Sequence, residues 1–164
     1  MSVARNLNLL SLCFSIGLAL HTANAGTTNV FGDWVVLSSE TLATNRASLR
    51  RLSPLWNPST NLVAEAIRRL PAYLQSVQTN GSAGYTNQLP GIRERLPNTG
   101  CQIVRVTLEK RKAILLNCFP LNHGFSKGWK QHFIKVYDGG SKWWSVVYLP
   151  DEKEFTRLRV DLGF

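Results

Sequence analysis

The sequence is poor in the residue types that advertise chemistry. Its 164 residues hold three cysteines, three histidines and one methionine. The cysteines form no CxxC pair, and His123 stands outside zinc-ligand spacing from Cys101 and Cys118, so no metal site is expected. GxSxG, HExxH, P-loop and dinucleotide fingerprints are all missing, which removes the signatures of the common hydrolases and nucleotide enzymes and leaves no cofactor to expect. There is no internal repeat or low-complexity tract, which argues against solenoids and disordered tails. No apolar run approaches the ~20 residues that a membrane-spanning helix needs. Acids are scarce too: 10 Asp and Glu against 19 Lys and Arg give a net charge of +9.

What is present starts with a secretory pattern. Arg5 is followed by an apolar stretch over residues 9–20 and by Ala23-Asn24-Ala25, small residues suited to signal peptidase. The expected organisation is a signal peptide over residues 1–25, cleaved after Ala25, and a single α+β domain over residues 26–164. Arg5 would leave with the signal and no acid would, so the remaining charge is +8 against +9 for the whole chain. A periplasmic or secreted protein with that balance favours anionic partners: an acidic protein, a glycan, a phospholipid headgroup or a nucleic acid.

Hydrophobic periodicity supplies the fold class. Residues 30–38 read as a first strand, and residues 41–59 as a short helix and loop. Residues 60–78 read as an amphipathic helix, because Val63, Ile67, Leu70, Leu74 and Val77 recur at steps of four and three. Ser59 or Thr60 caps its start, Asn80-Gly81 ends it, and Pro71 is expected to kink or split it. Residues 82–99 read as a long surface loop, a kind of segment that often carries function. Strands follow at 102–108, 112–119, 131–138, 142–149 and 155–164, with Gly139-Gly140 as a hairpin turn. The architecture is therefore α+β: one helix on an antiparallel meander of five or six strands.

If Leu108 faces Arg111 across the first turn, counting outward sets Cys101 opposite Cys118 in a non-hydrogen-bonded pair. Cα atoms there approach to ~4.5 Å. In an oxidising compartment this predicts a cross-strand disulfide between Cys101 and Cys118, worth ~3 kcal/mol.

The turn at Gly139-Gly140 also assigns faces. Ile134, Val136, Trp143, Val147, Leu158, Val160 and Leu162 gather on one side, which the helix is expected to cover. The other side collects Lys135, Tyr137, Trp144, Tyr148, Arg157 and Arg159, together with Phe133, Lys142, Val146 and Phe155. Cations interleaved with rings on an open sheet suit a protein interface or stacking against nucleic acid. Lys135, Tyr137, Trp144, Tyr148, Arg157 and Arg159 are thus the expected binding residues of a small exported inhibitor, immunity-type or envelope-accessory protein. The same mixture also serves a sheet that binds nothing, through cross-strand ring pairs and cation stems laid over apolar surface.

Two other function classes stay open. A helix ahead of an antiparallel sheet in an exported basic chain resembles the secreted ribonucleases of the barnase class. That resemblance implies acid–base work on RNA, for which His123, His132 and Arg157 are the candidates. The ending Leu158-Arg159-Val160-Asp161-Leu162-Gly163-Phe164 looks like the closing strand of an outer-membrane barrel, although six short strands fall below the eight such barrels need. Phe31-Gly32-Asp33-Trp34 is similar to the start of mature proteins of the invasion-associated locus B family, over those four residues.

Overall fold

A computed structural model describes residues 30–38, 56–80, 89–122, 128–136 and 139–160. The expected signal segment, His123 and Tyr137 lie outside the described residues. In chain order the elements are β1 (Asp33–Val36), α1 (Thr60–Asn80), α2 (Leu89–Arg95), β2 (Thr99–Leu108), β3 (Arg111–Pro120), β4 (Trp144–Leu149) and β5 (Glu154–Val160). Short 3-10 turns at Leu96–Asn98 and Gly140–Lys142 lead into β2 and β4.

α1 forms where the apolar period places it. The Leu62 N–H donates to Ser59 Oγ at 3.3 Å, closing the first turn, and Glu65 pairs with Arg69 one turn on at 2.9 Å. Val63, Ile67, Leu70 and Leu74 are buried. Each contributes about 1.5–3 kcal/mol by leaving water. The helix runs through Pro71 without splitting. Leu70 and Leu74, on either side of the proline, are both fully buried, and tertiary packing of that face outweighs one missing backbone hydrogen bond. The expected loop over 82–99 contains α2 and a 3-10 turn.

The five strands make one open sheet in sequential order, with β1 and β5 at its edges. β1 runs parallel to β2, so the sheet is mixed where an antiparallel meander was predicted. The β2–β3 register matches the prediction: Leu108 faces Arg111 and Cys101 faces Cys118. Glu109 and Lys110 form the two-residue turn with φ of 51° and 69°, the handedness such hairpins require. The disulfide, however, is not formed. The Cys101 and Cys118 sulfurs stand 3.4 Å apart as free, buried thiols, well beyond the ~2.05 Å of a bond. Correct register brought them face to face without joining them.

The predicted hairpin around Gly139-Gly140 also gives way. Residues 131–136 form no strand, and β4 pairs with β3 instead, Cys118 facing Trp144 and Ile114 facing Tyr148. Gly140 takes a positive φ of 66° inside a 3-10 turn rather than at a hairpin tip. Among the described residues the strands make an open sheet with β1 and β5 as its two edges.

With that pairing the face assignment is inverted along β4, whereas Leu158 and Val160 of β5 do pack in the cluster beneath α1 as expected. Trp144, Val146 and Tyr148 join Ile103, Ile114, Leu116 and the thiols beneath α1. Ile134, Val136 and Trp143 do share the other side, but they pack there with Phe119 and Trp129, and among the described residues no helix covers them. Val104, Val106, Ala113, Val147 and Leu149 extend this second layer. Both faces are apolar, so alternation along β4 could not tell which one the helix takes. A bulge between Ser145 and Val147 completes the difference. Arg157 there adopts φ 52°, and the register shift sets Val160 opposite Trp144.

The second layer is held by a buried carboxamide. Gln102, with no exposed surface, donates to the Trp129 and His132 carbonyls and accepts from Ile134 N–H at 2.8 Å and Asn117 Nδ2 at 3.1 Å. Asn117 also donates to the Ile134 carbonyl at 2.8 Å. Residues 128–136 thus lie over the sheet as an irregular strap, their backbone groups satisfied by side chains in place of a strand partner.

Candidate functional site

The expected contact face does not assemble. Trp144 and Tyr148 are 4% and 0% exposed beneath α1, so neither ring presents its face as an open contact surface. Arg157 is tied to Glu109 at 2.8 Å, in a surface network where Arg111 pairs with Glu109 at 3.2 Å and Glu152 at 3.1 Å. Exposed pairs of this kind contribute little to stability. Arg159 is exposed and faces Ser145. Lys135 is exposed on the strap. Of the nuclease candidates, His132 falls near the start of the strand expected over residues 131–138. It lies exposed on a bend instead, its N–H donating to the Gly128 carbonyl at 2.9 Å.

A different set of residues does converge. Thr99 opens β2, Pro120 ends β3 and Trp144 opens β4, so all three stand at one end of the sheet. Arg95 closes α2, Asn98 sits in the turn to β2, Asn122 follows β3, and Lys142 ends the turn into β4. These seven residues line a cleft of about 350 Å³, at the lower end of small-molecule sites, ~300–1,000 Å³.

Local bonds fix the cleft's walls. Thr99 Oγ1 donates to the Arg95 carbonyl at 2.8 Å, stopping the helix there. The Arg95 Nη2 donates to the Ser141 carbonyl at 3.4 Å, connecting α2 to the turn that carries Lys142. Arg93 and Arg95 also lie in the last turn of α2, the end whose dipole favours cations. The lining holds two cations, two carboxamides and no acid. Among the described residues neither Arg95 nor Lys142 has a carboxylate partner. The second groove, about 420 Å³ beside the stacked rings of Tyr73 and Phe155, is lined by Lys153, Glu154 and an Arg69 already paired to Glu65. Its charges are internally balanced, and it offers no bias toward either sign.

The sequence signals for this cleft were faint. Arg95, Asn98 and Thr99 fall in the segment read as a surface loop, and Lys142 was placed with the sheet face. Only tertiary structure brings α2, the β3 exit and the β4 entry together. Among the described residues no group of three His, Cys, Asp or Glu could hold a metal ion, and no helix is long and apolar enough to cross a membrane. No family model, curated protein or solved structure matches the chain.

Proposed function

We propose that the chain is a small, basic, exported binding protein that recognises an anionic ligand or an anionic group of a partner in the cleft between α2 and the ends of β2, β3 and β4. One observation carries the reading: Arg95 and Lys142 stand on the walls of a partly apolar cleft whose lining contains no acid. Two cations held near each other repel, and an anion between them relieves that repulsion while gaining charge-assisted hydrogen bonds. The remaining charge of +8 after loss of residues 1–25 draws such a ligand from solution. Export rests on Arg5, the apolar stretch and Ala23-Asn24-Ala25.

The binding test is equilibrium titration of the purified protein with a panel of organic anions and an anionic oligonucleotide. Arg95→Glu and Lys142→Glu should each weaken the best binder at least about tenfold, the scale of a lost charge-assisted hydrogen bond. An unchanged affinity in both variants, or no binding by the wild type, refutes the cleft as the site. Export is checked separately by cell fractionation, where retention in the cytosol would refute it.

A further inference from the structure

We infer that Gly91 is a positioning residue, which seats the Arg95 guanidinium so that the cleft grips a single oxyanion, a carboxylate or a phosphate group, of a small molecule. The inference rests on the reading of the cleft as an anion site. Gly91 and Arg95 are four residues apart on α2, hence neighbours on one face of the helix. A Cβ built on Gly91 would lie 2.7 Å from Arg95 Nη1 and 3.3 Å from both Cζ and Nη2, and these guanidinium atoms are its three nearest contacts. The plane of the guanidinium therefore rests where any other residue would put a side chain.

The arrangement matters because glycine is unfavourable inside a helix. Here the missing Cβ is occupied by the one group of α2 that lines the cleft. Seated there, Arg95 spends one Nη2 contact on the Ser141 carbonyl and keeps other donors of its planar fork for a ligand. A fork on one wall and the Lys142 point charge on another suit an oxyanion, whose oxygens accept from both at once. The carboxamides of Asn98 and Asn122 supply neutral donors beside them. A volume of about 350 Å³ limits the occupant to a small molecule.

Two probes separate the ligand sources: acetate for carboxylates and inorganic phosphate for phosphate groups, each titrated by calorimetry at constant ionic strength set with chloride. Wild-type protein should bind at least one, and the tighter names the class. Arg95→Ala should weaken that probe by about tenfold to a hundredfold. Gly91→Ala should push the flexible guanidinium end aside and weaken that probe by about threefold, while its melting temperature stays level or rises. In the Arg95→Ala background, Gly91→Ala should cost nothing further, as expected for a residue that acts through Arg95. Arg95→Lys keeps the charge but removes the flat fork; it should lose as much as Gly91→Ala, and it supplies the test if the alanine variant fails to fold. Gly91→Ala binding at wild-type affinity, or weakening the Arg95→Ala protein as well, overturns the positioning role. Wild type that binds neither probe overturns the anion site itself.

Discussion

Replacing Gln102 by leucine is the sharpest test of how the two-layered core is held. The side chain uses its full capacity, two donors to the Trp129 and His132 carbonyls and two acceptances from Ile134 N–H and Asn117 Nδ2. Leucine of similar volume keeps the packing and deletes all four. Three backbone groups of the strap then lose a partner, each at about 1–3 kcal/mol if it stays buried. The strap relieves part of that cost by lifting toward water, so the net loss should settle near roughly 3 kcal/mol, a large share of the ~5–15 kcal/mol typical of a domain. Urea titration should show a lower midpoint, and hydrogen exchange should quicken first at residues 128–136. A loss under about 1 kcal/mol, with strap amides as protected as before, would mean the strap is held by its apolar side chains and not by Gln102.

Trp144→Ala should destabilise by about 3–5 kcal/mol, the cost of a cavity where a large aromatic side chain was buried, whereas Arg159→Ala on the exposed edge strand should change stability by less than about 0.5 kcal/mol. Thermal melts showing the two equal would contradict the face assignment. Burial first, then the neighbouring Cys101, pushes the Cys118 thiol well above its usual pKa, and burial first, then the Glu65 charge, raises the Tyr148 phenol. Groups whose folded pKa is raised hold their protons more tightly when folded, so stability should be full below the unfolded thiol pKa of ~8.5 and fall as pH rises above it. Urea midpoints at pH 8 and pH 10 check the sign, and a higher midpoint at pH 10 would refute it. Thiol titration without reductant should find Cys101 and Cys118 protected in the native protein and reactive after unfolding; failure to react even when unfolded would show a bond between them.

Local patterns were legible and their three-dimensional consequences were not. The stripe from Val63 to Leu74 announced α1 because a helix repeats its buried face every three or four residues. The Glu109-Lys110 turn set the pairing of Cys101 with Cys118 because a two-residue loop fixes register. The faces of β4 went the other way for a physical reason. Trp143-Trp144-Ser145-Val146-Val147-Tyr148-Leu149 is apolar on both sides, and a sheet covered on both sides carries no alternation to say which side the helix takes. The Gly139-Gly140 pair then suggested a hairpin. Without knowledge that Gln102 and Asn117 would bind the backbone of 128–136 directly, that segment had no reason to stay irregular. The cleft was invisible for the same cause, since Arg95, Asn122 and Lys142 are far apart in sequence and belong to segments without period.

By itself, then, the chain's order of residues determined the helix, the first hairpin with its facing thiols, the excess of positive charge and the α+β class, all of which depend on neighbours a few residues away. Tertiary structure alone decided that β1 joins in parallel, that α1 covers Trp144 and Tyr148, that the thiols stay unbonded, and that Arg95 and Lys142 share a cleft. The burial of Trp144 and Tyr148 depends on which of two apolar faces meets the helix, and the irregular course of residues 128–136 on a buried carboxamide replacing a strand. Neither choice leaves a periodic trace in the sequence.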